Sequence, residues 1–155
     1  AFGYFQFMPS TMKNYAIDYD KNSYIDLKNN NDAYASAANY LNKIGWKDDQ
    51  PCFYKIILTE DVPKKYLNVS AKKLHNKNKL KYLTKYIINK DILDQNFNNL
   101  TASIITPDKD IIPNAENLSP AYIVFENYEI ILQWNRSLRF SLAVCTLKDK
   151  FSNEL

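Results

Sequence analysis

One histidine, His75, and two cysteines, Cys52 and Cys145, are all that this 155-residue chain offers of the side chains most used in catalysis and zinc binding. His75 stands between lysines and is poorly placed as a base or ligand. Histidine-dependent hydrolase triads and His/Cys zinc centres are therefore set aside. Two cysteines far apart in sequence make no disulfide scaffold. They could pair in an oxidising compartment, but the expectation is two buried thiols, because free cysteine packs as a small hydrophobe. No apolar run approaches the ~20 residues of a membrane-spanning helix. The residues from Ala1 onward hold no basic-then-apolar leader, so any export signal is expected to lie outside them. That start reads as a fragment, a processed form or an excised domain.

What is present suits an ordinary globular chain. Hydrophobic residues make up 46% of this 18.1 kDa chain's residues, enough for one core. Charge is nearly balanced, at 20 Lys+Arg against 17 Asp+Glu. Of the cations 18 are lysine, and 19 residues are asparagine and 12 tyrosine. That bias points to an A- and T-rich coding sequence, so lysine density carries little by itself. A net +3 is ordinary solvation, and nucleic acid is not an expected partner. One cluster, Lys72, Lys73, Lys77, Lys79, Lys81 and Lys85, reads as a solvated helix face, with weak attraction to an anionic polymer as the alternative.

Along the chain, residues 1–9 are dense in aromatics and end in Pro9. Ser10 is the expected N-cap of a short helix over Thr11–Ala16. Asn31 or Asp32 is expected to cap a second helix running to Ile44, with Ala33, Ala37, Leu41 and Ile44 at helical spacing and Gly45 as its left-handed stop. Pro63–Leu67 reads as one turn, Ser70–Leu74 as a short helix, and Leu80, Leu83, Tyr86 and Ile87 as an amphipathic helix. Ala102–Thr106 and Ala121–Phe125 have the texture of two paired strands. Tyr128–Trp134 is apolar with ambiguous period. Asn135 or Ser137 starts a last helix with a broad apolar face through Leu138, Leu142, Cys145, Val144, Leu147 and Phe151. A single α+β domain over 1–155 is expected, mainly helical with a small antiparallel β element.

Between the first two helices lies a polar loop. Asp18, Asp20, Asn22 and Tyr24 occupy positions 1, 3, 5 and 7 of an EF-hand-like pattern, in which alternate residues turn hard oxygens toward Ca²⁺. Tyr24 would contribute its backbone carbonyl. Ser23 stands where glycine usually makes the sharp turn, and Asn29 where a bidentate glutamate usually closes the shell. A longer loop brings Asp32, at position 15, into that closing role. Without further support, the alternative is a polar turn using its Asp and Asn side chains for backbone bonds.

Three segments, in this order, resemble the lytic murein transglycosylase B family of peptidoglycan-cleaving enzymes. The first is Ala1-Phe2-Gly3-Tyr4-Phe5-Gln6-Phe7-Met8-Pro9-Ser10, similar to that family's G-x-x-QFMPS stretch. The second runs from Tyr15-Ala16-Ile17-Asp18 through Asp26-Leu27 and Asp32-Ala33 to Ala38-Asn39-Tyr40-Leu41 and Gly45-Trp46. The third is Pro107-Asp108, Pro120-Ala121-Tyr122, Asn127-Tyr128 and Trp134-Asn135-Arg136-Ser137. The parts implied are 1–46 (groove and cation loop), 47–100 (variable) and 101–155 (β element and last helix).

The resemblance implies a lysozyme-like fold gripping peptidoglycan glycan strands, in a bacterial periplasm or cell envelope. It implies cleavage between N-acetylmuramic acid and N-acetylglucosamine by one glutamic acid. That acid protonates the glycosidic oxygen, then takes a proton as the muramic 6-hydroxyl closes a 1,6-anhydro ring. In the family it lies in a Glu-Ser/Thr-x-x-Gly pattern, which none of Glu60, Glu116, Glu126, Glu129 or Glu154 matches. No catalytic residue is therefore assigned, and the isolated chain is expected to be inactive. The alternatives are a non-catalytic peptidoglycan-binding module or a truncated gene product. By resemblance, Gln6, Tyr40, Trp134 and Asn135 are substrate-binding, Phe140 stands where a tyrosine is common, and Asp18, Asp20, Asn22, Tyr24 and Asp32 hold structural Ca²⁺. No organic cofactor is expected.

Overall fold

Pro9 begins the first helix, α1 (Pro9–Tyr15), rather than preceding it. A proline suits the first helical turn because its missing N–H would find no partner there. Met8 takes the cap position without a side-chain bond, so the expected Ser10 cap is displaced by two residues. Helix α2 (Asn30–Lys43) likewise starts earlier than expected. Asn29 caps it, its side chain accepting the Asn31 N–H at 2.9 Å. Gly45, at φ 108°, stops it, and the Trp46 N–H closes back on the Leu41 carbonyl at 3.0 Å. Residues 1–108 and 119–154 are described in this computed structural model. They divide into two compact units, Ala1–Lys47 and Asp48–Leu155.

The second unit is built on a sheet. β4 (Thr101–Ile105) and β5 (Ala121–Val124) pair antiparallel with Ile104 opposite Ile123, as their sequence texture predicts. β1 (Phe53–Ile56), which the sequence did not announce, pairs antiparallel on the far side of β5. Two further short strands, β2 (Leu67–Asn68) and β3 (Asn78–Lys79), pair with β4, β2 in parallel. Among the described residues the β element is thus five-stranded and mixed, not antiparallel alone. β4 lies at its centre, which is why residues 102–105 are all buried and read as an unbroken apolar run.

Leu80, Leu83 and Ile87 pack in the core with Ile56, Ile104 and Phe125. Their expected helix is only one α-turn, α3 (Leu80–Leu83), followed by a 3₁₀ turn over Thr84–Tyr86. Ser70–Leu74 forms no helix, since the Ser70 hydroxyl accepts the Lys72 N–H in a local turn that competes with one. The lysine cluster is exposed, but over loops, strand β3 and two short helical turns rather than one helix face.

The ambiguous apolar stretch is α4 (Glu126–Trp134), with Tyr128, Ile130 and Ile131 buried. Ser137 caps α5 (Leu138–Glu154), accepting the Phe140 N–H at 3.2 Å. Leu138 and Cys145 of α5 are buried, whereas Leu147 and Phe151 are exposed, so its apolar face is narrower than expected. The cysteines are not thiols. Cys52 and Cys145 form a disulfide with Cα atoms 6.0 Å apart, both buried, tying the start of β1 to α5.

Candidate functional site

The acidic stretch after α1 is folded by its own side chains. Asp18 accepts the Asn22 N–H at 3.1 Å on one oxygen and the Ser23 N–H at 2.8 Å on the other. Asp20 accepts the Asn22 N–H at 3.2 Å, and Asn22 Oδ1 accepts the Tyr24 N–H at 2.9 Å. Lys21 and Ser23 stand at φ 60° and 71°. Ser23 therefore makes the turn that glycine would make without strain, at a cost of about 1–2 kcal/mol.

Asp32, in the first turn of α2, is fully buried. Its Oδ2 accepts the Asp26 N–H at 2.9 Å and its Oδ1 the Tyr19 N–H at 2.8 Å. These backbone bonds, Asp26's foremost, hold its carboxyl below the ordinary carboxylate range against the opposing cost of burial. Asn29 is used for capping, and its Nδ2 also donates to Asp20 at 3.3 Å. One oxygen from each of Asp18, Asp20 and Asp32 lies within 4.8 Å of the others. Three like charges so placed repel, and hard carboxylate oxygens at this spacing are the donor set a divalent cation such as Ca²⁺ takes. Asn22 and Tyr24 lie in the same loop. The Tyr24 ring is exposed, which leaves its backbone carbonyl as the candidate ligand.

In the same unit, Phe2 and Phe7 exchange backbone hydrogen bonds of 2.8 and 2.9 Å, closing a tight turn over residues 3–6. Gln6 sits exposed on this turn at φ 52°, its N–H and Nε2 both donating to the Gly3 carbonyl. Tyr40 is half-buried on α2, its ring against Phe7 and Tyr15 at centroid distances of 6.0 and 4.9 Å. Burial, and secondarily Tyr15, raises its phenol pKa, so it keeps its proton and can both donate and accept.

In the second unit, Trp134 closes α4 half-buried, and Asn135 follows in extended backbone, exposed, its N–H bonded to the Ile131 carbonyl at 3.0 Å. The corner is braced from below. The buried Tyr128 hydroxyl donates to the Leu138 carbonyl at 2.8 Å, and burial pushes its pKa up. Arg139 pairs with Asp108 at the start of α5. Gln6 and Tyr40 thus belong to the first unit, and Trp134 and Asn135 to the second. Among the glutamates, Glu60 and Glu126 are exposed, Glu129 pairs with Lys77 at 2.5 Å, and Glu116 lies outside the described residues.

Sequence reasoning missed Asn29 as the cap and Tyr128 as the brace. An Asn two residues ahead of Asn31 was the available signal for the first. Nothing local marks the second, because its partner is ten residues away on another helix.

The family model for the transglycosylase SLT domain matches residues 1–149. Membrane-bound lytic murein transglycosylase B of Escherichia coli (strain K12) is 49% identical over 51 residues, which are 32% of this chain and 14% of that protein. SltB3 from Pseudomonas aeruginosa, solved in complex with NAG-NAM-pentapeptide, superposes with a TM-score of 0.77 at 29% identity, over 95% of this chain and 37% of that one. The Escherichia coli lytic transglycosylase Slt35, solved in complex with calcium, superposes with a TM-score of 0.66 at 23% identity, over 94% of this chain and 42% of that one, and so bears on the fold alone. This chain spans well under half the length of each.

Proposed function

This chain belongs to the transglycosylase SLT domain family of lytic murein transglycosylases, and from that membership we propose that its 155 residues are the glycan-holding, cation-binding portion of a peptidoglycan-cleaving machine. The observation that carries this reading is the family match over residues 1–149, together with the fold shared with SltB3, which was solved with a NAG-NAM-pentapeptide. Trp134 offers a flat ring to a sugar face, and Asn135 beside it an amide for hydroxyl or N-acetyl groups. Gln6 and Tyr40 supply the same chemistry in the first unit. The family reaction passes a proton to the glycosidic oxygen as the C1–O bond breaks, while the substrate's own 6-hydroxyl attacks C1 and returns a proton to the carboxylate. These residues contain no Glu-Ser/Thr-x-x-Gly pattern to supply that acid. Alone, they bind strands and do not cut them. The buried Cys52–Cys145 bond supports a place in the cell envelope, where disulfides persist.

Incubation of the purified chain with insoluble peptidoglycan tests this. It is expected to co-sediment, to lose roughly fivefold in affinity on Trp134→Ala (a stacking loss of about 1 kcal/mol), and to release no 1,6-anhydro-muropeptides. Release of such products would place a working acid within these residues. Failure to sediment would remove the glycan reading.

The cation belongs to the same proposal. Asp18, Asp20, Asn22 and Asp32 side chains and the Tyr24 carbonyl would hold Ca²⁺, which when bound neutralises the crowded carboxylates and ties the loop to α2. At a hundredfold excess over Kd the ion should add about 2.7 kcal/mol of stability to the folded form, and Asp18→Asn should remove most of that gain. Titration calorimetry showing no heat, with an unshifted melting curve, would eliminate the site. The pH dependence has a definite sign. Because the folded Asp32 carboxyl is held below its unfolded value, its stabilisation is present above the ordinary carboxylate pKa and is lost as pH falls through the folded value. Loop protection and cation affinity should therefore both fall in acid.

A further inference from the structure

Charge is divided unevenly along this chain. Between Pro63 and Lys90 there are nine lysines and His75 but no aspartate or glutamate, which leaves the remainder of the chain with 11 cations against 17 acids. Runs of like charge are usually disordered tails. This one is ordered. The buried Asn68 side chain bonds to the backbone of Tyr66, His75 and Ile104, Asn76 donates to the Lys65 carbonyl, and the Tyr66 and Tyr86 rings meet at 5.6 Å. These contacts hold the stretches 64–66, 75–77 and 85–86 to one another. All nine lysines are exposed, and among the described residues only Lys77 of the nine has a carboxylate partner. The fold thus holds segments that carry Lys64, Lys65, Lys77 and Lys85 against one another, and eight of the nine ammonium groups face water without a carboxylate partner among the described residues.

We propose that this lysine-rich lobe is a peripheral docking surface for a bilayer of anionic phospholipid. Its chemistry is that of an extended layer of phosphates rather than a discrete ligand. Lysine ammoniums are hydrated point charges on flexible stems, not the rigid forks that clamp one anion. The apolar residues in and beside the lobe select a bilayer over a dissolved polyanion. Tyr82, Ile88 and Ile92 are 54%, 61% and 43% exposed, and they alternate with Lys81, Lys85 and Lys90. A Lys-Tyr step occurs three times, at 65–66, 81–82 and 85–86, each with the ammonium about 5 Å from the following ring. Tyrosine beside lysine is the pair that settles at a headgroup layer, ring at the interface and ammonium on phosphate. A soluble polymer would use the charge and leave Ile88 and Tyr82 in water.

Co-flotation of the intact chain with phosphatidylglycerol-containing vesicles, against pure phosphatidylcholine vesicles, tests this. Binding is expected only to the anionic vesicles and should be released by high salt. The combined Lys72→Gln, Lys73→Gln, Lys81→Gln, Lys85→Gln variant should lose several hundredfold in affinity, at roughly fivefold per lysine. Ile88→Ser with Tyr82→Ser should lose at least tenfold with the charge intact. All six positions are exposed, so an unchanged circular dichroism melt will show that the fold is retained. No flotation, or equal flotation with neutral vesicles, would overturn the proposal. Binding to heparin or duplex DNA that equals the vesicle binding and ignores Ile88→Ser would overturn it in favour of a dissolved polyanion.

Discussion

Reducing the Cys52–Cys145 bond is expected to lower the unfolding free energy by about 4–5 kcal/mol, because the bridge closes a loop of 93 residues in the unfolded chain. That is a large part of the 5–15 kcal/mol that holds an ordinary domain together. The folded side of the balance changes little, since two buried thiols occupy nearly the volume of the disulfide. The bridge links the residue before β1 to the middle of α5, so it joins the helix that follows the Trp134–Asn135 corner to the sheet. After reduction α5 retains its packing on α4, the Tyr128 hydroxyl's bond to the Leu138 carbonyl and the Arg139–Asp108 pair. Urea unfolding with and without reductant, and of the Cys52→Ala/Cys145→Ala double variant, measures the effect. A midpoint that reductant leaves in place would mean that the two sulfurs do not hold this fold together.

Replacing Gly3 by alanine is expected to cost about 3 kcal/mol and to disorder the first unit locally. Gly3 stands at φ 68°, where an L side chain is strained by about 1–2 kcal/mol. A Cβ there would also run into the carbonyl oxygen and side chain of Leu27, both too close for any adjustment of a flexible tip to relieve. Overpacking of that kind costs a further 1–3 kcal/mol. The contact couples two segments. Gly3 accepts both hydrogen bonds from Gln6, its neighbour Tyr4 donates to Leu27 at 3.0 Å, and Leu27 follows Asp26, whose N–H is held by Asp32. Displacing Gly3 therefore moves the Gln6 turn and loosens the end of the acidic loop together. Hydrogen exchange at the Phe2, Tyr4 and Phe7 amides should accelerate in Gly3→Ala, and Ca²⁺ should restore only part of the protection. Unchanged exchange at all three would show that the segment accommodates the methyl group.

Much of this was legible in the residues. The Asp18-x-Asp20-x-Asn22 spacing left a cation loop and a polar turn both open; the side chains make the backbone bonds of a polar turn, and one oxygen from each of Asp18, Asp20 and Asp32 also lies within 4.8 Å of the others. The α+β class, the pairing of β4 with β5 and the Ser137 cap were also readable, because each follows from local periodicity or a short-range bond. Ser23 is instructive. Its side chain argued against a sharp turn, yet backbone bonds to Asp18 and the reach of Asp32 from α2 hold it at positive φ.

Other features had no local signature. The parallel β2–β4 pair joins residues 37 positions apart, Leu67 to Ile104, and the strength of that pairing depends on what lies between them. The collapse of the Leu80–Ile87 helix to one turn followed from its burial against the sheet, where Leu80, Leu83 and Ile87 must all face one core. By itself the sequence determined the local vocabulary: caps, turns, the carboxylate spacing and the motifs of the family. Tertiary structure alone decided that the cysteines pair, that Asp32 is buried and its carboxyl held below the ordinary range by backbone donors, and that the stretches 64–66, 75–77 and 85–86 meet. Each of these depends on distances between segments remote in the chain, which only the closing of the core brings into range.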